Sequence, residues 1–270
     1  MFFWMIIPNY NSEKWIERGL LSILDQTYTD YKITIVDDCS TDISPEIIKQ
    51  YEDRYPDKIR FFPLRRRAGF PGNVRNAALL SKVDCFGYEK SQYTLFMDSD
   101  DHFADNYCFE ALAKCAEENG YPDVIRLPFE IDVSDRESYY ISFSETSPQE
   151  MAVSSYIAPW TKAVKTSRLT LFPEDTLFED IPQHLAQADV TRNVASCDHK
   201  FIIWNRRKEN DVSLTANIDN NAEYKRKADA SVFKLAADLI LADYNHTYCS
   251  EMRDSWLNFA KQRIRDDKLV

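Results

Sequence analysis

Asp98, Asp100 and Asp101 crowd three carboxylates into one short polar stretch, Asp98-Ser99-Asp100-Asp101, directly after the apolar run Tyr93-Thr94-Leu95-Phe96-Met97. Anionic groups this close repel one another unless a cation neutralises them. A hard divalent ion is the natural partner. Mg2+ or Mn2+ takes oxygen ligands and is usually held by one or two carboxylates together with substrate phosphates. The stretch therefore points to a metal that brings a diphosphate-bearing ligand with it; the plainer reading is that these aspartates cap a turn. Elsewhere Glu179-Asp180 opens a predicted helix, where acidic residues also sit for dipole reasons alone. His102, His184 and His199 could each add a ligand, but a lone histidine is more often structural, and none is assigned.

For these groups to meet, the chain must deliver them to one crevice. Short apolar runs at 2–7, 31–36, 59–62, 93–97 and 123–128 alternate with amphipathic stretches, which predicts β-α units around a largely parallel sheet. Trp15, Ile16, Leu20, Ile23 and Leu24 recur at helical spacing after a Ser12 cap, and Ser44-Pro45 predicts a second helix start. In such sheets ligands bind beyond the carboxyl ends of the strands. The residues there are Pro8-Asn9-Tyr10-Asn11, Asp37-Asp38 and the Asp98 stretch. Beyond residue 128 the alternation weakens; 139–143, 190–195 and 201–204 predict shorter strands around a helix at 180–188. From Ala222 onward, Phe233, Leu235, Ala236, Leu239 and Ile240 fall at helical spacing and predict two amphipathic helices that serve as a packing or oligomer surface.

Composition narrows the class. The chain has 270 residues, 44% hydrophobic and 29% charged, with five glycines, as an ordered globular protein does. A formal charge of -11 argues against nucleic acid as a partner, because such binding rests on Lys and Arg neutralising phosphates. Arg65-Arg66-Arg67 and Arg206-Arg207-Lys208 are the local exceptions. The six cysteines show no Cys-x-x-Cys spacing and fit reduced thiols of a cytoplasmic protein. The apolar opening Phe2-Phe3-Trp4-Met5-Ile6-Ile7 is too short to span a bilayer and reads as a buried first strand. The expectation is a cytoplasmic chain, at most peripheral to a membrane, with no transmembrane segment.

Several motifs together carry a resemblance. Ile6-Ile7-Pro8-Asn9-Tyr10-Asn11 is similar to an opening strand with a P-x-Y-N turn, and Ser22-Ile23-Leu24-Asp25-Gln26-Thr27-Tyr28 to S-x-x-x-Q-T-Y/F. Val36-Asp37-Asp38-Cys39-Ser40-Thr41-Asp42 resembles V-D-D-G-S-T-D, Arg75-Asn76-Ala77-Ala78-Leu79 resembles R-N-x-G-L, and Phe96 to Asp101 follows in order. These are motifs of the family-two inverting glycosyltransferases, whose fold is GT-A. The match is tight over about the first 105 residues and looser over 156–215, through Pro159-Trp160-Thr161-Lys162, Glu179-Asp180 and Ser213-Leu214-Thr215. Cys39 and Ala78 stand where the family usually has glycine.

The resemblance implies a Rossmann-like, mostly parallel α/β sheet flanked by helices. It divides the chain into a catalytic domain at 1–220, with a nucleotide-sugar half at 1–128 and an acceptor-side half at 129–220, and a helical extension at 221–270. It implies that Pro8, Asn9 and Tyr10 line a base, that Asp38 accepts the uracil N3–H, and that Arg75 meets a diphosphate. Asp98 and Ser99 would lie near the ribose and metal-bound diphosphate, with Asp100 ligating the ion and Asp101 sharing or supporting that role. Asp180 would be the catalytic base, and Trp160 and Glu179 would shape the sugar or acceptor pocket, although Trp160 suits core packing equally. The implied reaction moves a sugar, hexosyl or N-acetylhexosaminyl, from a UDP-sugar to a hydroxyl on a surface glycan, lipid-linked precursor or protein. A non-catalytic GT-A scaffold that binds carbohydrate or a partner is one alternative. A sugar nucleotidyltransferase is another, but it wants a Gly-rich phosphate loop that Pro8-Asn9-Tyr10-Asn11 cannot form.

Overall fold

The computed structural model describes residues 1–81, 91–133, 138–152, 154, 156–175 and 179–206. The expected terminal helices at 221–270, the Ser213-Leu214-Thr215 match, and Cys85 and Cys249 lie outside the described residues. In chain order the elements begin β1 (Phe3–Asn9), α1 (Ile16–Leu24), β2 (Tyr31–Asp37), α2 (Ser44–Arg54), β3 (Ile59–Pro63) and α3 (Pro71–Leu80). Then come β4 (Tyr93–Phe96), β5 (His102–Phe103), α4 (Cys108–Glu118), β6 (Val124–Arg126), β7 (Phe129–Val133) and β8 (Tyr139–Ile141). The last are α5 (Pro148–Ala152), β9 (Lys162–Lys165), α6 (Asp180–Val190), β10 (Val194–Ser196) and β11 (Ile202–Arg206).

β1 lies inside a seven-stranded sheet of order β10-β6-β9-β4-β1-β2-β3 and pairs in parallel with both β2 and β4. A strand covered on both faces must be apolar at every position, which is why Phe3 to Ile7 form an unbroken apolar run. Alternate side chains serve opposite layers. Phe3, Met5 and Ile7 join Ile16, Leu20 and Ile23 of α1, Ile48 of α2 and Phe109 and Leu112 of α4. Trp4 and Ile6 face the other way, onto Val74, Ala78 and Leu79 of α3 and onto Phe172. The result is a sheet sandwiched between helices.

The sheet is mixed rather than simply parallel, because β9 runs antiparallel between β4 and β6. A second sheet of order β5-β11-β7-β8 stands beside it. Local expectations need three corrections. Ser12 starts α1 through its carbonyl, which accepts from Ile16 N at 2.9 Å, while its hydroxyl turns to Asn9. Ser44 is the first residue of α2 rather than its cap, with its hydroxyl 2.5 Å from Asp42 Oδ1. The stretch from 190 does not begin a strand: α6 continues through Val190 and β10 starts at Val194.

Cys39 holds the turn after β2 at φ 58°, a left-handed backbone that an L side chain adopts at a cost. Its Sγ donates to Leu64 O at 3.2 Å. The turn thus keeps a glycine-like shape without glycine. Cys39→Gly should leave this shape intact and change stability by no more than about 1 kcal/mol, strain relief being offset by unfolded-chain entropy and the lost thiol contact. The midpoint of urea unfolding measures it, and a larger loss would contradict the reading.

Candidate active site

At the carboxyl end of β1, Asn9 is buried and its amide donates to Asp37 Oδ1 at 2.7 Å and to Ser44 Oγ at 3.1 Å. Asp37 also accepts from Ser40 N at 3.0 Å. Both side chains are consumed in pinning the ends of β1 and β2, so the Asn9 amide locks the turn. Asp38 follows on the same turn, and its carboxylate accepts the backbone N–H groups of Ala68 at 2.5 Å and Gly69 at 2.9 Å. Acceptor capacity remains, since a carboxylate offers about four lone-pair sites. Tyr10 is exposed beside it, with the Arg67 guanidinium 3.9 Å from the centre of its ring and Arg67 Nε 3.9 Å from Asp38 Oδ2. Arg67 thus belongs to this corner, although its sequence context reads only as a basic turn.

Arg75 comes from the middle of α3 and is buried. Its Nη1 donates to Glu179 Oε1 and its Nη2 to Asp98 Oδ1, each at 2.6 Å. Phe172 lies 5.3 Å below the guanidinium. The expectation has this fork meeting a diphosphate; in the structure it spans two carboxylates, with Nε unpartnered among the described residues. Charge-assisted bonds this short are strong, and each partner is fixed by the other two. The approach of α3 needs Gly72: a Cβ there would sit 2.8 Å from Glu179 Cγ and 3.1 Å from Phe172 Cβ.

Asp98 and Asp100 are half-buried at the end of β4, whereas Ser99 and Asp101 are buried. Asp101 Oδ1 accepts from Asn205 N at 2.9 Å, and Oδ2 has no hydrogen-bond partner among the described residues. Burial, then Asp100 and Asp98, push the Asp101 carboxyl well above the usual range. An orphaned buried carboxylate oxygen beside two reachable carboxylates is a donor set that fits a hard divalent ion. The three aspartates do not themselves bring their oxygens within 4.8 Å of one another; the described group that does is Asp105, Cys108 and His199. Mg2+ and Mn2+ sites of one or two carboxylates do not require a tighter cage.

Glu179 and Asp180 stand at the start of α6. Burial raises Glu179 to about 7 against the pull of Arg75, with Asp180 adding to the rise. Asp180 is raised by burial as well, opposed by Arg75 and Lys162. Trp160, by contrast, is core: its ring packs edge-on against Phe129 at 4.8 Å and lies 5.8 Å from Trp204. The structure thus joins Asp98, Arg75 and Glu179, with Asp180 next in the chain, gathers Tyr10, Asp38 and Arg67 at the carboxyl ends of β1 and β2, and packs Trp160 against Phe129 and Trp204.

A family model, "Glycosyl transferase family 2", matches residues 4–208. The chain belongs to glycosyl transferase family 2. Among curated relatives of this family 2 chain, the poly(ribitol-phosphate) beta-N-acetylglucosaminyltransferase TarS of Staphylococcus aureus is 30% identical over 191 residues, 70% of this chain and 31% of TarS. A poly(ribitol-phosphate) beta-glucosyltransferase of Bacillus spizizenii is 30% identical over 230 residues, 83% of this chain and 32% of that protein. The chain spans about a third of the length of these relatives. Residues 1–349 of S. aureus TarS, solved in complex with UDP-GlcNAc, superpose with a TM-score of 0.71 at 24% identity, covering 96% of this chain and 72% of that one. The fold is therefore GT-A, an α/β sheet flanked by helices. A mannosyltransferase from Pyrobaculum calidifontis, solved with GDP-Man and Mn2+, shares the fold at TM-score 0.57 and 15% identity, covering 98% of this chain and 87% of that one. Among the described residues no helix is long and apolar enough to cross a membrane.

Gly72→Ala should push Glu179 off Arg75. Overpacking of this kind costs about 1–3 kcal/mol. Urea unfolding should register that loss. Unchanged stability would mean that the close approach of α3 is immaterial.

Proposed function

We propose that this family 2 chain transfers a hexosyl or N-acetylhexosaminyl group from a uridine diphosphate sugar to a hydroxyl of a cell-surface polymer, by a single displacement that inverts the anomeric centre. The observation that carries the reading is the Asp98–Arg75–Glu179 bridge, which ties the end of β4 to the start of α6, where Asp180 stands. Relatives that modify poly(ribitol phosphate) support a polyol-phosphate polymer as the acceptor class. In this reading residues 1–128 hold the donor and 129–220 face the acceptor.

Asp38 accepts the uracil N3–H through capacity that Ala68 and Gly69 leave unused, and Tyr10 offers its ring face to the base. Asp100 and Asp98 would hold a divalent ion, Mn2+ or Mg2+, with Asp101 behind them. When bound, such an ion neutralises charge on the departing diphosphate. Arg75 keeps Asp98 and Glu179 in place on either side of the reacting centre. Asp180 takes the proton of the acceptor hydroxyl as that oxygen attacks. Burial favours this task, since a base whose pKa is raised toward the working pH accepts a proton more readily.

Asp180→Asn should keep UDP binding yet lose turnover by about 10²- to 10⁴-fold, the usual contribution of a positioned base. Release of UDP from UDP-GlcNAc in the presence of poly(ribitol phosphate) is the assay, and near-normal turnover would remove Asp180 from the role. Asp100→Ala should weaken UDP binding in the presence of Mn2+ and make it insensitive to chelator. Calorimetry that finds wild-type affinity in this variant, still lowered by chelator, would count against the metal assignment.

A further inference from the structure

Lys162 opens β9 directly opposite Arg126 of β6, in register, and both side chains are buried. Like charges facing each other across a strand pair are destabilising unless something compensates them. Lys162 Nζ lies 2.8 Å from Ile157 O, 3.3 Å from Ala158 O and 3.3 Å from His184 Nδ1. His184 Nε2 is 2.7 Å from Met151 O, a carbonyl that can only accept, so Nε2 carries the ring proton and Nδ1 is a bare acceptor. Three acceptors around one nitrogen match the three donors of an ammonium and exceed the two of an amine. All three acceptors are neutral, so the charge itself is not cancelled by its hydrogen-bond partners.

His184 falls one helical turn after Asp180 on α6, and residues at that spacing share a face. The nitrogen that touches His184 is therefore carried alongside the face that bears Asp180. We infer that Lys162 is a positioning residue for the base: an ammonium fixed by the Ile157 and Ala158 carbonyls and by His184 is a buried counter-charge that, beside Arg75, favours Asp180 as a carboxylate, ready to take a proton. The inference rests on Asp180 being the base.

The surrounding charges define the balance. Lys162 faces Arg126 from β6, Arg75 from α3, and Asp180 and His184 from α6. Burial and the two arginines press Lys162 toward losing its proton, and Asp180 opposes them. Asp180 faces Arg75, Lys162 and its neighbour Glu179, and Arg75 is already spanned by Asp98 and Glu179. Lys162 is thus the cation that Asp180 shares with no second carboxylate in direct contact. A group held ionised by a nearby cation loses that help when the cation goes, and its pKa rises by about 1–3 units.

The test is a carboxyl 13C titration of the full 270-residue chain labelled at aspartate, with the Asp180 signal assigned by its disappearance in Asp180→Asn. Lys162→Met should move the Asp180 midpoint up by about 1–3 pH units. Lys162→Gln, which can still donate to the Ile157 and Ala158 carbonyls, should do the same and serves if the methionine variant does not fold. The acid limb of UDP release from UDP-GlcNAc with poly(ribitol phosphate) should move in the same direction, with turnover recovering at high pH and UDP affinity unchanged. A midpoint that stays in place in a folded variant overturns the inference, whatever happens to the rate. If Asp180→Asn keeps its turnover while the midpoint moves, the electrostatic link stands and the assignment of Asp180 as base is what fails.

Discussion

One buried guanidinium holds the centre together. Arg75 reaches 23 residues along the chain to Asp98 and 104 residues to Glu179, and donates to each at 2.6 Å. A charge taken out of water is costly unless it is paired and hydrogen-bonded. Here that cost enforces geometry: α3, the end of β4 and the start of α6 must converge or leave a charge stranded. Gly72 permits the convergence by leaving room for Glu179, and Phe172 closes the apolar side. Asp98 at the end of β4 and Glu179, with Asp180 next to it, at the start of α6 are therefore set by one interaction rather than by two independent loops.

The strand ends around this bridge are held by a second kind of constraint, a fully used polar network. Asn9, Asp37, Ser40 and Ser44 satisfy one another beneath the surface, and Asn11 Oδ1 accepts from Thr41 N at 2.8 Å above them. Because these groups are spent on each other, the turn is rigid where Asp38 leaves it. Ala68 and Gly69 then clamp Asp38 from the neighbouring loop, so the group proposed to read a base is oriented before any ligand arrives. Preorganisation of this kind lowers the ordering cost of binding.

What the sequence reveals divides along physical lines. β1, β2 and β4 are readable because burial on both faces demands unbroken apolar runs, and the helix over Ile16–Leu24 is readable because one face must meet the sheet. β9 is not: Lys162-Ala163-Val164-Lys165 carries a cation at each end, and only the tertiary setting buries Lys162. Motif order brings out Asp38, Arg75, Asp98 and Asp180 but says nothing of what they touch. Asn9 sits in a binding-type motif and spends its amide on Asp37, Trp160 packs edge-on against Phe129, and Arg67 reaches Tyr10 from a basic run that looks like solvent-facing turn. In each case the deciding contact comes from a segment distant in sequence, which residue type and spacing do not encode.

The central claim is that Arg75 and Glu179 act as a unit in joining the two sides of the site. A double-mutant cycle with Arg75→Met and Glu179→Gln, read by urea unfolding, tests it most directly. Coupled neighbours in one ion-pair network show interaction energies of about 0.5–3 kcal/mol, and a buried fork at 2.6 Å should lie in the upper part of that range. Additivity within about 0.3 kcal/mol would contradict the account, because the two residues would then contribute independently and the bridge would not be what brings the end of β4 and the start of α6 together.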